Sequence, residues 1–175
     1  LTESFYKDVA LATVMKSPIG AFSDEDLALI SITYQDYKKT QEQLSETSYF
    51  ANAVLYYGES GDSPLKEKVQ DFLKYIQDIR KLSDFVSAYD LLQKIIVEKN
   101  VKAYLLAGRN GEEKVRRLEF LLSTTIANGK RYSSKEFIKL VKGNAEVLKL
   151  ANGGNDNAVK VMTIHASKGL EFPVV

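Results

Sequence analysis

The strongest constraint on the fold is a change of hydrophobic period near the end of this 175-residue chain. Before it, apolar residues recur every three to four positions, which places them on one face of an α-helix. The turn-rich sequence "GGNDNA" follows, and then "VKVMTIH", rich in β-branched residues, reads as a strand. We therefore predict a mostly α chain: a multi-helix domain over 1–152, a linker over 153–158, and one or two short strands of an incomplete β-structure over 159–175.

Capping residues predict where the helices begin and end. Four serines stand at N-cap spacing before apolar-periodic stretches, and Pro64 is expected at the first position of its helix. A helix is also predicted over 8–16, before "SPIG", and a short one in "NAEVLKLAN". The serines are Ser23, Ser63, Ser87 and Ser133, the last in capping-box spacing with Glu136. The expected helix stops are Gly58, Gly129 and Gly143.

Composition excludes several classes of protein. With no Cys and one His, the chain cannot form disulfides or a thiolate zinc centre, so no metal site is expected and a reducing cytoplasm is the natural compartment. No apolar run is long enough to cross a bilayer, and the N-terminus lacks the pattern of a signal peptide. Because the chain begins with Leu1, we expect it to be a piece of a longer protein.

Charge is distributed unevenly although the net charge is only +1. Residues 1–62 carry four basic and ten acidic residues, a net of −6, whereas residues 94–149 carry thirteen basic and six acidic, a net of +7. Such asymmetry can mark a surface that faces a polyanion. Solvated helix faces explain the same numbers equally well, and charge alone does not choose between them.

Motif searches for phosphate chemistry are negative in the body of the chain. Gly129-Lys130 does not complete a nucleotide P-loop, and there is no G-x-G-x-x-G, H-E-x-x-H or G-x-S-x-G pattern. At the C-terminus, Thr163 and His165 would share one face of the predicted strand, with Lys168 close behind. Such donors suit phosphate contacts, although a lone His beside a strand is more often structural.

The C-terminal "VMTIHASKGLEFPVV" resembles the fifth conserved motif of UvrD/Rep-type DNA helicases, T-x-H-x-x-K-G-L-E-F. The continuation F-P-V-V is similar to the AddA/RexA branch, the ATP-dependent helicase/nuclease A subunits. Upstream, "DVALATVMKSPIGAFSDEDLALI" resembles a segment of the same branch that precedes an acidic helix. The two matches lie at opposite ends, so the resemblance extends over the whole chain.

This resemblance implies an architecture and a set of contacts. The chain would be the helical insertion of the second RecA-like motor domain plus the first returning strands. Thr163, His165 and Lys168 would contact single-stranded DNA, while Gly169 and Glu171 would contact ATP. The P-loop, the Mg²⁺-binding acidic motif, the arginine finger and the nuclease domain are missing, so the fragment is expected to be inactive and to have no catalytic residue.

The role of the insertion stays open between two hypotheses. A duplex-binding arm would use the basic residues of its second half, whereas a protein-contact module would pack against the second subunit of the helicase–nuclease heterodimer or another motor domain without touching DNA. A free-standing helical interaction protein with a chance tail match is a remoter alternative. The candidate duplex contacts are Lys114, Arg116, Arg117, Lys130 and Arg131.

Overall fold

The computed structural model describes residues 5–40, 49–62, 64–127 and 129–143. Within these ranges the chain forms eight α-helices and one two-stranded hairpin, so the mostly α prediction is confirmed. The predicted short helix after Gly143, the linker and the terminal strands lie outside the described residues. The helices are α1 Asp8–Lys16, α2 Asp24–Lys39, α3 Tyr49–Ser60, α4 Leu65–Leu82, α5 Ala88–Glu98, α6 Val101–Ala107, α7 Gly111–Thr124 and α8 Ser134–Gly143.

The predicted N-caps are confirmed wherever the serine is described. The Ser23 hydroxyl accepts from the Asp26 backbone N–H, and the Asp26 carboxylate accepts from the Ser23 N–H in return. Ser87 caps α5 in the same way through the Asp90 N–H. Ser133 and Glu136 form the reciprocal pair before α8. Local side-chain chemistry therefore sets these three helix starts.

Two predicted boundaries around α3 and α4 are wrong. The helix does not stop at Gly58, since α3 continues to Ser60 and the chain turns at Gly61. Gly58 serves packing instead, because a Cβ there would lie 3.1 Å from Leu73 Cδ1 on α4. Pro64 is the N-cap of α4 and not its first helical residue, while Ser63 lies outside the described residues.

The segment predicted as one helix up to Gly129 is also corrected. Helix α7 ends at Thr124, and residues Ile126–Ala127 and Lys130–Arg131 pair as antiparallel strands β1 and β2. Gly129 lies in the turn with φ +74°, a left-handed conformation that glycine adopts without strain. Ile126 is therefore a strand residue and not a helical one.

Helices α1 to α4 enclose the principal hydrophobic core. Apolar side chains from all four helices and from the α1–α2 turn meet there, and each fully buried large side chain contributes about 1.5–3 kcal/mol. Phe22 packs edge-on against Phe72, with ring centroids 5.6 Å apart. The buried residues of this core are Leu11, Met15, Phe22, Ile30, Tyr34, Ala51, Ala53, Val54, Tyr57, Leu65, Val69 and Phe72.

The second half of the chain packs α6 against both α5 and α7. Helix α6 was not predicted, because its seven residues follow α5 after only Lys99 and Asn100. Asn100 has φ 49°, and this left-handed residue redirects the chain from α5 into α6. No residue of α6 is buried. Each of the helices α1 to α4, by contrast, contributes buried residues to the core.

Candidate nucleic-acid interface

The turn between α6 and α7 brings cationic side chains together on the surface. Residues 108–110 connect the helices, and Asn110 takes a left-handed conformation with φ 56°. Gly111 starts α7 so close to α6 that a Cβ would lie 2.5 Å from the Leu106 carbonyl oxygen. The two helices therefore form a tight hairpin, which we call the α6–α7 hairpin.

Lys114 and Arg109 both lie at this turn. The Lys114 ammonium lies against Gly108, 3.5 Å from the position a Cβ would take there. Arg109 is exposed within the turn itself. Among the described residues, neither side chain has an acidic partner or a hydrogen bond. Two uncompensated positive charges consequently face solvent at the end of the hairpin.

Arg116 and Arg117 are neighbours in sequence but differ in their surroundings. Both are exposed on α7. Arg117 forms an ion pair with Glu113, one helical turn earlier, whereas Arg116 has no partner in the described part of the chain. Glu119 is likewise paired, with Lys102 of α6 at 2.9 Å. The Arg116 guanidinium is therefore more available than that of Arg117 to bind an anionic group.

Arg131 lies in the β-hairpin that follows α7 and is held by α5. Its Nη1 donates to Asp90 Oδ1 at 2.6 Å, and its guanidinium lies 4.9 Å from the centre of the Tyr89 ring. Hydrogen bonds from Ser87 and then Arg131 lower the pKa of the Asp90 carboxyl. Lys130 precedes Arg131 in β2, opposite Ala127.

The structure therefore divides four of the five residues predicted as duplex contacts. Lys114 and Arg116 are exposed and without a described partner, while Arg117 and Arg131 are engaged in ion pairs. The sequence reasoning missed Arg109, which the hairpin turn exposes beside Lys114. The two glycines that flank Arg109-Asn110 were the available signal, because they mark a tight helix–helix turn.

The residues near the C-terminus that were predicted to contact DNA and ATP are not part of the described surface. Thr163, His165, Lys168, Gly169 and Glu171 all lie outside the described residues. Within the ranges that are described, no group of acidic or histidine side chains gathers as a metal site. In those same ranges no helix is long and apolar enough to span a membrane.

An apolar groove in the first half of the chain differs from this surface in its chemistry. A cleft of about 200 Å³ opens between the start of the chain and helices α3 and α4. Val9 of α1 is 83% exposed and Tyr6 56%. The groove is lined by Phe5, Tyr6, Leu55, Leu73, Ile76, Gln77 and Arg80. Such a surface suits protein contact better than contact with a polyanion.

The helical assembly with its exposed cationic hairpin precedes the T-x-H-x-x-K-G-L-E-F sequence in the chain. The chain belongs to the family of the UvrD-like helicase C-terminal domain, which matches residues 6–175. It is 32% identical over 181 residues to the A subunit of the ATP-dependent helicase/nuclease from Ruminiclostridium cellulolyticum. It is 33% identical over 176 residues to the protein of the same name from Lactobacillus acidophilus.

These similarities cover nearly all of this chain but little of the relatives. The matches span 97% of the chain in both cases, and 13% and 14% of the two relatives. The corresponding protein from Syntrophomonas wolfei, 29% identical, is matched over 100% of the chain and 14% of its own length. The chain thus corresponds to one short stretch of proteins about seven times longer.

Proposed function

We propose that this chain is a DNA-contacting segment of an ATP-dependent helicase/nuclease of the AddA/RexA type. The parent translocates on single-stranded DNA, unwinds duplex ends and degrades them during double-strand-break repair and recombination in the cytoplasm. It works as a heterodimer with a second, different chain. The chain by itself neither hydrolyses ATP nor unwinds DNA.

The observation that carries the DNA-contact role is the set of uncompensated cations on the α6–α7 hairpin. Arg109, Lys114 and Arg116 form no ion pair among the described residues; of the α7 carboxylates, Glu113 and Glu119 are paired and the exposed Glu112 is not. Unpaired Lys and Arg side chains are the groups that bind phosphates and release counterions. These three side chains are exposed, and α6 has no buried residue. The surface of the hairpin is therefore accessible to a rigid duplex.

The remaining roles follow the motif positions. Residues 1–152 form the helical insertion, 153–158 the linker, and 159–175 return the chain to the RecA-like motor domain. Thr163, His165 and Lys168 then contact the single strand, and Gly169 and Glu171 contact the nucleotide. ATP and Mg²⁺ bind the intact parent, where the groups missing from this chain complete the site.

A salt titration tests the DNA-contact role. Binding of the chain to a labelled duplex of about 20 base pairs and to its single strand would be measured by fluorescence anisotropy between about 25 and 200 mM salt. We expect affinity to fall steeply with salt. Combined Arg109→Glu, Lys114→Glu and Arg116→Glu substitutions should abolish binding throughout this range.

The matched control carries the same change in net charge elsewhere. Lys74→Glu, Arg80→Glu and Lys81→Glu reverse three exposed cations of α4, and we expect most of the affinity to remain. Equal losses in the two triple variants would mean that net charge, and not the hairpin, governs binding. Absence of binding by the unaltered chain even at the lowest salt would overturn the DNA-contact role.

The apolar groove favours a second candidate function, a protein-contact module with no DNA contact of its own. Its lining from α3 and α4 is partly exposed, and Tyr6, which also lines it, is 56% exposed. Ile76→Glu would place a charge in this groove. If the module role is correct, that substitution in the full-length parent reduces co-purification with the second chain of the heterodimer and leaves the anisotropy titration unchanged.

A further inference from the structure

Tyr104 is an exposed aromatic residue on an otherwise unburied helix. It lies on α6, and 62% of its surface is accessible. Its hydroxyl makes no hydrogen bond to any described residue, and its ring makes no aromatic or cation contact there. Burial and local pairing therefore do not account for a large aromatic side chain at this position.

The cations of the α6–α7 hairpin follow Tyr104 closely in the chain, Arg109 by five residues and Lys114 by ten. Gly108, the C-cap of α6, follows Tyr104 by four residues, so the two positions are about one helical turn apart. The Lys114 ammonium lies against Gly108, and Arg109 comes next in the chain. The hairpin thus presents an aromatic face beside two positive charges that no described carboxylate neutralises.

The exposed Tyr104 ring and the two cations together discriminate among possible binding partners. A protein partner would bury Tyr104 but would also have to neutralise Arg109 and Lys114, for which only acidic surfaces qualify. A continuous duplex would satisfy the cations through its phosphates, yet its stacked bases would leave the ring without a partner. An unpaired base with its flanking phosphates satisfies both, because every base offers a π-face.

We propose that Tyr104 stacks on an unpaired base of DNA whose neighbouring phosphates contact Arg109 and Lys114. This inference rests on the proposed DNA-contact function and makes it more specific. The hairpin binds where a strand is already open, as at a frayed end or a single-stranded tail. Phosphate contacts give the affinity and its salt dependence, while the stacked base selects single-stranded over fully paired DNA.

The absence of Trp from the chain provides a direct test. Tyr104→Trp introduces the sole tryptophan, and stacking on a base should quench its fluorescence. An oligothymidylate of about 15 nucleotides, within the range of single-strand binding sites, is the probe, and a closed DNA hairpin of equal charge is the comparison. Tyr6→Trp, at an equally exposed site in the first half of the chain, is the matched control.

We expect saturable quenching of Tyr104→Trp by the oligothymidylate, weaker quenching by the closed hairpin, and none in the Tyr6→Trp control. Tyr104→Ala should lower affinity for the single strand about 5- to 150-fold, and Tyr104→Phe should restore most of it. The closed hairpin should bind all variants about equally.

Two failures are distinguishable. If the unaltered chain binds DNA but Tyr104→Ala binds the single strand as well as it does, the stacking role is wrong and the DNA-contact function stands. If the unaltered chain binds neither probe at low salt, both proposals fail together.

Discussion

The two halves of this chain use their helices differently. Helices α1 to α4 bury a dozen apolar or aromatic side chains in one core. In α5 to α8 fewer side chains are buried, and the apolar ones among them are Ala88, Leu91, Ile96 and Leu122. Residues 1–62, which include α1 to α3, carry a net charge of −6, whereas residues 94–149 carry +7. The chain thus combines a well-packed, acidic first part with a sparsely packed, basic second part, and low burial is typical of segments that open locally.

Truncating one leucine in each half should give the largest difference. Leu11 in α1 is 0% exposed, and Leu106 in α6 is 53% exposed. Leu11→Ala should lower the free energy of unfolding by about 2–5 kcal/mol, because it removes buried methyl groups and leaves a cavity. Leu106→Ala should cost less than about 1 kcal/mol, because its site is open to water. Urea denaturation followed by circular dichroism measures both, and similar losses would mean that the halves are equally packed.

A smaller effect is expected at a contact that ties α1 to α3. Asp8 Oδ2 accepts from the Phe50 N–H at 3.1 Å, and Oδ1 accepts from the Ala51 N–H at 3.0 Å. A residue of α1 therefore caps α3 across 42 positions of sequence. Asp8→Ala should cost about 1–2 kcal/mol, as the loss of a helix cap does. Asp36→Ala, which removes only an exposed pair with Lys39, is the control and should cost less than about 0.5 kcal/mol.

The Asp8 cap illustrates what sequence could and could not predict. Caps within four residues, such as Ser23–Asp26, Ser87–Asp90 and Ser133–Glu136, are visible because their partners are fixed by helix geometry. The Asp8 cap depends on how α1 and α3 meet, so no local pattern reveals it. The predicted helix stop at Gly58 is wrong for the same reason. The small size of Gly58 allows α3 to approach Leu73 of α4, a tertiary contact that no local pattern shows.

The same distinction between local pattern and tertiary contact applies to the candidate site. Composition predicted the basic half, and Lys114 and Arg116 are exposed there as expected. Which cations remain unpaired depends on tertiary contacts, since Arg131 finds Asp90 41 positions away. Helix α6 escaped prediction because it has only seven residues and follows α5 after only Lys99 and Asn100. Arg109 and Tyr104 were missed with it.

The ion pair of Asp26 and Lys68 should make the first half sensitive to acid. Lys68 Nζ donates to Asp26 Oδ2 at 2.7 Å and lies 4.5 Å from the centre of the Phe22 ring. This hydrogen bond is the main reason that the pKa of the Asp26 carboxyl is lowered in the folded chain. A carboxyl whose folded pKa is lowered stabilises the fold above its unfolded pKa of about 3.9, and that contribution is lost as pH falls through the folded value.

Asp26→Asn measures this contribution. At pH 7 the substitution should cost up to about 1 kcal/mol, as expected for a partly exposed pair. The difference between the original chain and the variant should shrink as the pH falls below about 4, where the unfolded Asp26 carboxyl takes up a proton, and it should vanish once the pH passes the lowered folded pKa, where Asp26 is uncharged in both states. Urea denaturation at several pH values gives the curve, and a difference that persists at the lowest pH would assign the effect to packing and not to charge.

The smallest effect is expected from single-arginine substitutions in α7, where Arg116 and Arg117 are adjacent but differ in ion pairing. Arg116 has no described partner, whereas Glu113 already compensates Arg117. Arg116→Gln should reduce the slope of log affinity against log salt by about 0.9 for duplex DNA, the value for one phosphate contact. Arg117→Gln should change the slope by much less, because a paired guanidinium gains little by exchanging a carboxylate for a phosphate. Equal changes would mean that Glu113 releases Arg117 to the DNA, and that the pairing seen in the free chain does not persist in the bound one.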